Sequence, residues 1–245
     1  MIIGILQTGA SPDALKPTMG DYPDFFERLL ADRGLEFRRF TVMEMEFPAS
    51  VHDCDGWLIT GSRFGAYEDH PFIKPLEAFI RAAYAEHVPV VGICFGHQII
   101  AQAMGGRVEK YKGGWSVGPT DYHFGDETIT LNAWHQDQVV EKPEMAEVIA
   151  STDFCSNAGL LYDDRMFTVQ PHPEFKKDFI EGLIKYRGPG LVPQETLDSA
   201  TEKIDAPLGT NTMAGKIADF FLSHQTRAAQ RSAARDARAR AQTRV

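Results

Sequence analysis

The feature that most constrains this chain is the segment 89–106, which reads PVVGICFGHQIIAQAMGG. A short apolar run typical of a buried strand leads into the pattern G-x-C-x-G at residues 92–96, and a helical pattern starts at once. A strand that passes directly into a helix needs a sharp turn, which the two glycines would allow. The segment therefore predicts one strand–helix unit of a parallel sheet, with Cys94 exposed at the turn.

Short apolar runs alternate with helical patterns over the first hundred residues. The predicted strands are Met1–Leu6, Leu35–Thr41, Gly56–Thr60 and Val88–Ile93. The predicted helices between them are Tyr22–Asp32, Ile73–Glu86 and Phe95–Met104. This alternation is typical of the α/β class, and it predicts a doubly wound, mostly parallel sheet of flavodoxin-like type.

The pattern changes after Gly106. Strand-like stretches with few helical intervals follow at Arg107–Tyr122, Thr128–Ala133, Ala146–Thr152 and Met166–Gln170. We expect these stretches to add antiparallel or mixed strands beside the parallel core.

The C-terminal part of the sequence is less regular. A predicted helix, Lys177–Tyr186, covers the added strands, and the Gly- and Pro-containing stretch Arg187–Thr210 is predicted to be an irregular excursion. A last amphipathic helix is predicted around Met213–Ser223. We therefore expect a main domain over 1–190 and a helical extension over 191–245 that ends in an Arg/Ala-rich tail.

Composition excludes several classes of function. The 245 residues are 43% hydrophobic and 24% charged, as in an ordinary globular domain. A net charge of −9 argues against a general nucleic-acid binder. No stretch approaches the roughly 20 apolar residues that cross a bilayer, and the N-terminus lacks the basic start of a leader. We therefore expect a cytoplasmic protein that binds neither membranes nor nucleic acid.

The tail and the cysteines add two smaller points. The last twenty residues hold six arginines and one acid, which indicates either a solvated helical tail or a site for an anionic partner. The three cysteines, Cys54, Cys94 and Cys155, form no CxxC pair. A disulfide framework and a zinc site are therefore not expected, and no metal or cofactor is predicted.

Cys94 is the candidate nucleophile. At the start of a helix, the partial positive charge of the helix N-terminus favours the thiolate over the thiol. A free cysteine is more often a small buried core residue, but the two spaced glycines and the strand-to-helix junction favour a reactive thiol. Cys54 and Cys155 have no such setting, and we interpret them as core residues.

A thiol nucleophile needs a base, and the base needs a group that orients it. The segment MFTVQPHPEF supplies both, because His172 and Glu174 lie two residues apart at the end of a predicted strand and their side chains leave the same face. Glu174 would then hold one ring nitrogen of His172 while the other faces Cys94. Pro171 and Pro173 stiffen the backbone around the ring.

The reaction also needs donors for an oxyanion. One candidate is the amide N–H of Phe95, directly after the nucleophile. The other is Gly61, in the turn after the predicted strand Gly56–Thr60 at the same edge of the sheet. From the residues alone, Gly61 could equally serve only the turn.

Together these residues resemble the class I glutamine amidotransferases of the triad type, whose G-x-C-x-G-x-Q motif is followed much later by H-P-E. Here the first motif reads GICFGHQ, with Cys94 and Gln98, and the second begins at His172. The resemblance spans roughly residues 1 to 186. It implies that Cys94 attacks the side-chain amide of glutamine, that ammonia leaves with a proton from His172, and that water hydrolyses a γ-glutamyl thioester.

The resemblance also implies substrate-binding residues. Gln98 would contact glutamine, Gly61 would belong to the oxyanion loop, and Trp134, His135, Gln136 and Asp137 match a pocket segment that reads S-H-G-D in the family. No synthetase pattern is present in the sequence, so the chain is similar to stand-alone members such as the glutaminase part of GMP synthase. A separate synthetase or ammonia acceptor is then a possible partner.

Two other functions stay open. Some relatives hydrolyse γ-glutamyl peptides or conjugates, which the changed residues Trp134 and Gln136 would suit. A non-catalytic binding module that retains the fold is the other alternative, although it gives no reason for nucleophile, base and orienting acid to occur together.

Overall fold

The computed structural model describes residues 1–224. The strands, in chain order, are β1 (Ile2–Leu6), β2 (Glu36–Phe40), β3 (Gly56–Ile59), β4 (Val90–Ile93), β5 (Arg107–Lys110), β6 (Ser116–Phe124), β7 (Glu127–His135), β8 (Asp137–Glu141), β9 (Ala146–Ala150), β10 (Gly159–Tyr162) and β11 (Met166–Val169). The helices are α1 (Lys16–Met19), α2 (Tyr22–Leu29), α3 (Ile73–Ala85), α4 (Phe95–Ala103), α5 (Lys177–Tyr186) and α6 (Gln194–Glu202), with a 3₁₀ turn at Val42–Glu44. A last helix, α7, begins at residue 210 and continues through 224.

The central sheet has seven strands in the order β2-β1-β3-β4-β11-β10-β9. The first five in that order run parallel, and β10 and β9 are antiparallel to their neighbours. The order reverses next to β1, as in doubly wound folds, in which sites form at the carboxyl ends of the strands. The predicted fold class is confirmed.

The alternation of residues along the parallel strands fills two separate cores. Odd-numbered positions of β1, Ile3 and Ile5, pack with Phe26 of α2 and with Ile217 and Phe221 of α7. On the opposite face, a cluster joins the sheet to the helices α3 and α4 through Leu6, Trp57, Ile59, Leu76, Ile80, Ile99 and Ile100. Because successive side chains of a strand point to opposite faces, a strand buried on both faces must be apolar throughout, as β3 and β4 are.

A third cluster lies beside the sheet and uses residues from the C-terminal part of the chain. Phe175, Phe179 and Leu183, in and just before α5, pack with Trp134 of β7 and Leu197 of α6. Helix α6 lies directly on β6, since a Cβ added to Gly118 would come 2.9 Å from the Cβ of Ala200. Residues beyond 190 therefore share cores with residues before it.

Several sequence predictions need correction. The stretch Arg107–Tyr122 is two strands, β5 and β6, separated by a turn that contains Gly113 and Gly114. These strands do not extend the central sheet, because β5 pairs with β8 and β6 with β7 in two small antiparallel sheets; only β9, β10 and β11 join the core. The excursion Arg187–Thr210 contains helix α6. The Arg-rich tail lies outside the described residues.

No helix within residues 1–224 is long and apolar enough to cross a membrane. The cytoplasmic location expected from the sequence stays a prediction.

Candidate active site

Cys94 lies at the sharp turn between β4 and α4. Its φ of 53° and ψ of −103° fall in a region that non-glycine residues rarely occupy. Two backbone hydrogen bonds hold the turn: the Cys94 N–H donates to the Val169 carbonyl oxygen (2.9 Å), and the Gln98 N–H donates to the Cys94 carbonyl oxygen (3.0 Å). The surrounding fold therefore holds the nucleophile candidate in a strained conformation, as is common at functional sites.

The two elbow glycines are needed for a different reason from the one predicted. Neither has a positive φ; the strained residue is Cys94 itself. A Cβ added to Gly92 would lie 2.6 Å from the backbone of Gly96, and one added to Gly96 would lie 2.3 Å from the carbonyl oxygen of Ile59. The glycines let α4 lie against the strands at backbone distance, which brings the start of the helix close to the carboxyl ends of β3 and β4.

His172 and Glu174 follow the end of β11. The His172 N–H donates to the Asn132 carbonyl oxygen (2.8 Å), which ties the segment to β7. The imidazole stacks on the Phe175 ring with centroids 3.9 Å apart, and its Nδ1 lies 2.7 Å from Oε1 of Glu174. The ring is thus fixed by a stacked aromatic on its face and by a carboxylate at one nitrogen.

The surroundings of His172 favour its charged form. Burial by itself lowers the pKa of an imidazole. The negative charge of Glu174 and the charge of Cys94 act against this effect, as does a hydrogen bond between Cys94 and the ring, and together they raise the pKa of His172 to about 10. With Nδ1 bonded to Glu174, Nε2 is the ring nitrogen left for the thiol. The arrangement favours an imidazolium beside the sulfur at neutral pH.

The loop after β3, which contains Gly61, also reaches His172 and Cys94. A Cβ added to Gly61 would lie 2.9 Å from Cε1 of His172 and 3.8 Å from Cβ of Cys94. The loop after β3 therefore touches both the imidazole and the cysteine, and only a glycine leaves room for the ring.

The loop around Gly61 is oriented by a threonine. Oγ1 of Thr8 lies 2.9 Å from the carbonyl oxygen of Thr60 and 3.1 Å from that of Gly61. Because N–H and C=O point in opposite directions across a trans peptide, the Gly61 N–H faces away from Thr8. The Phe95 N–H belongs to the open first turn of α4, whose first intrahelical bond starts at Gln98. Both predicted donors thus lie next to Cys94.

A pocket of about 180 Å³ opens over Cys94. The prediction that Cys94 is exposed at the turn is wrong, because packing around the turn leaves the residue only 5% exposed. The walls of the pocket include the predicted substrate-binding residues Gln98, Trp134 and His135. The Gln98 amide donates to the carbonyl oxygen of Asp137 (2.9 Å) and to Oε1 of Gln170 (3.1 Å). Burial lowers the pKa of His135 to about 4, so this ring is neutral at pH 7.

The site around Cys94 also contains residues that the sequence did not single out. The amide of Gln170, two residues before His172, lies 3.5 Å from Sγ of Cys94 as a donor. Tyr67 hydrogen-bonds the carboxylate of Asp137, and Trp115 and Arg187 line the pocket. The position of Gln170 at a strand end beside the H-P-E motif could have indicated it, but nothing in the sequence marks Trp115 or Arg187. No group of three or more metal-ligating side chains occurs within the described residues.

Comparisons with known proteins show the family of this chain. The family model for glutamine amidotransferase class-I matches residues 19–179. The chain belongs to the class-I glutamine amidotransferase family. The family comprises enzymes, and a cysteine nucleophile is expected in it.

Two relatives illustrate the range of this family. γ-Glutamyl peptidase 4 of Arabidopsis thaliana is 30% identical over 88% of this chain and 94% of its own length. The glutamine-hydrolyzing GMP synthase subunit of Archaeoglobus fulgidus is 31% identical over 63% of this chain and 84% of its own length. The crystal structure of a glutamine amidotransferase from Methylobacillus flagellatus matches the fold with a TM-score of 0.69, at 21% identity over 93% of this chain and 94% of that one.

Proposed function

We propose that this amidotransferase-family chain hydrolyses γ-glutamyl amides, glutamine being the simplest, with Cys94 as nucleophile, His172 as acid and base, and Glu174 as the orienting group. The observation that carries the proposal is the fixed, buried His172–Glu174 pair beside the thiol at the strained turn. A charged imidazole next to a cysteine favours the thiolate, which is the attacking form.

In the first half-reaction, the sulfur of Cys94 attacks the side-chain carbonyl carbon of the γ-glutamyl group. The C–N bond breaks, the leaving nitrogen takes the proton from Nε2 of His172, and a γ-glutamyl thioester remains on Cys94. Glu174 keeps the ring oriented and stabilises its positive charge throughout.

In the second half-reaction, neutral His172 accepts a proton from water, which attacks the thioester and releases glutamate. The N–H groups of Gly61 and Phe95 would donate to the oxyanion in both steps. Gln98, Trp134 and His135 would hold the glutamyl part.

A test of this function compares wild type with Cys94→Ala and, as a matched control, Cys54→Ala. Ammonia and glutamate released from glutamine and from γ-glutamyl dipeptides are measured with and without cell extract, because a separate ammonia acceptor is one possible partner. We expect Cys94→Ala to abolish turnover and Cys54→Ala to retain it. Equal turnover by wild type and Cys94→Ala would remove Cys94 from the reaction.

A second candidate within this class is a γ-glutamyl peptidase. It is favoured because the alignment with γ-glutamyl peptidase 4 covers 88% of the chain, against 63% for the Archaeoglobus fulgidus protein, and because Arg187 and Leu191, which lie beyond the 19–179 match, line the pocket. The same assay separates the two, since a peptidase turns over γ-glutamyl dipeptides faster than glutamine.

A further inference from the structure

We propose that Arg187, Trp115 and Leu191 form a subsite for the leaving group, and that this group is an amine carrying a carboxylate, as an amino acid does. The inference rests on the proposed hydrolysis of γ-glutamyl amides and specifies the substrate of the same pocket. The subsite is inferred from the distribution of charged and apolar side chains in the pocket around Cys94.

One side of the pocket suits the amino-acid head of a γ-glutamyl group. Gln98, Asp137 and Tyr67 are connected there by hydrogen bonds, and Lys110 adds a positive charge near the Asp137 carboxylate. A carboxylate and an ammonium on one wall match the ammonium and carboxylate of the glutamyl head. The leaving group must then contact other residues that line the pocket.

A chain of contacts leads from His172 to Arg187, which lines the same pocket. The proton donor stacks on Phe175, the Phe175 ring lies 5.9 Å from the Tyr22 ring, and the Tyr22 hydroxyl accepts a hydrogen bond from Arg187 (3.3 Å). Because His172 gives its proton to the leaving nitrogen, the leaving group starts beside this ring, and Arg187 is connected to the same ring through two aromatic side chains.

The guanidinium of Arg187 is available to an anion. It is half-buried, and within residues 1–224 no carboxylate lies within ion-pair distance of it. The turn that follows α5 is fixed, since the N–H groups of both Arg187 and Gly188 donate to the Leu183 carbonyl oxygen (2.9 Å each). A planar guanidinium held at a pocket mouth is well suited to bind a carboxylate through two hydrogen bonds.

The neighbouring surface is apolar. Trp115 packs edge-to-face on Trp134 with ring centroids 6.3 Å apart, and Leu191 is 49% exposed at the rim. The ammonia that leaves from glutamine has no carbon atoms to contact these side chains. A leaving amino acid with an apolar side chain would cover both, while its carboxylate reaches Arg187.

The test uses two substrates that differ only in the carboxylate: γ-glutamyl-leucine and the γ-glutamyl amide of 3-methylbutylamine. We expect wild type to prefer γ-glutamyl-leucine in kcat/KM by about tenfold or more, and Arg187→Met to remove most of that preference, as expected for a lost charge-assisted hydrogen bond. Arg187→Lys should restore part of it. Arg63→Met, which removes another arginine of the same pocket, should change kcat/KM for both substrates by the same factor.

The ratio of kcat/KM for the two substrates distinguishes an effect on substrate recognition from an effect on folding, because a variant that is merely less stable loses activity on both compounds equally. The subsite is refuted if wild type shows no preference, or if Arg187→Met retains it, while turnover still depends on Cys94. If no γ-glutamyl compound, glutamine included, is hydrolysed in a Cys94-dependent way, the proposed function fails and this inference fails with it. These two failures are distinguished by the Cys94→Ala control.

Discussion

Nδ1 of His172 lies 2.7 Å from Oε1 of Glu174, and the two side chains are 4% and 1% exposed. Solvent therefore screens this pair only weakly, and the carboxylate has a strong effect on the imidazole. The consequences for activity, stability and pH dependence can each be measured.

Replacement of Glu174 by Gln should reduce kcat by about 10²- to 10⁴-fold, the range contributed by a positioned acid or base. The amide cannot stabilise the imidazolium, so the pKa of His172 falls and the basic limb of the pH profile moves to lower pH. The measurement is kcat against pH for γ-glutamyl hydrolysis. Glu181→Gln on the exposed face of α5 is the control, and an unmoved basic limb in Glu174→Gln would argue against the pairing.

Gly61→Ala should lower kcat/KM by about tenfold or more, because the added methyl group would lie 2.9 Å from Cε1 of His172 and displacement of a reacting group is costly. Gly215→Ala is the matched control, since the atom nearest to its new Cβ is 3.8 Å away; there alanine should stabilise α7 by up to about 1 kcal/mol. Steady-state kinetics and thermal unfolding of both variants are compared. An active, well-folded Gly61→Ala enzyme would be inconsistent with contact between the loop and the ring.

Stability should depend on His172 in a defined pH range. Since its pKa rises from 6.5 to about 10 on folding, the stabilisation is complete below pH 6.5 and is lost as pH rises toward 10. The slope is at most about 1.4 kcal/mol per pH unit. Free energies of unfolding of wild type and His172→Gln between pH 6 and 10 measure it. A difference between them that stays constant over this range would contradict the shifted pKa.

The sequence predicts those parts of the site that depend only on residues close together in the chain. The order strand, cysteine, helix places Cys94 at the edge of the sheet whatever surrounds it, and two residues' spacing suffices for Glu174 to reach His172. The sequence does not predict why Gly92 and Gly96 are needed, because the close approach of Gly96 to Ile59 depends on a strand more than thirty residues away.

The remainder depends on tertiary packing. Helix α6 is not predicted because its buried residues are only Leu197 and Ala200, which give too weak a pattern between Gly, Pro and charged residues. Its packing on β6 and Leu183 places the turn at Arg187 over the pocket. The pairing of β5 with β8, rather than with the central sheet, cannot be predicted from the sequence either, since short strands carry little information about their partners.

The role of Cys94 as nucleophile is tested most directly by labelling the folded enzyme with a γ-glutamyl chloroketone, followed by peptide mapping by mass spectrometry. We expect one adduct, at Cys94, whose formation is slowed by glutamine or a γ-glutamyl peptide and by His172→Gln, while Cys54 and Cys155 stay unlabelled. Hydrolysis of γ-glutamyl amides by an enzyme that carries no adduct at Cys94, or one whose formation the substrate does not slow, would show that Cys94 is not the nucleophile.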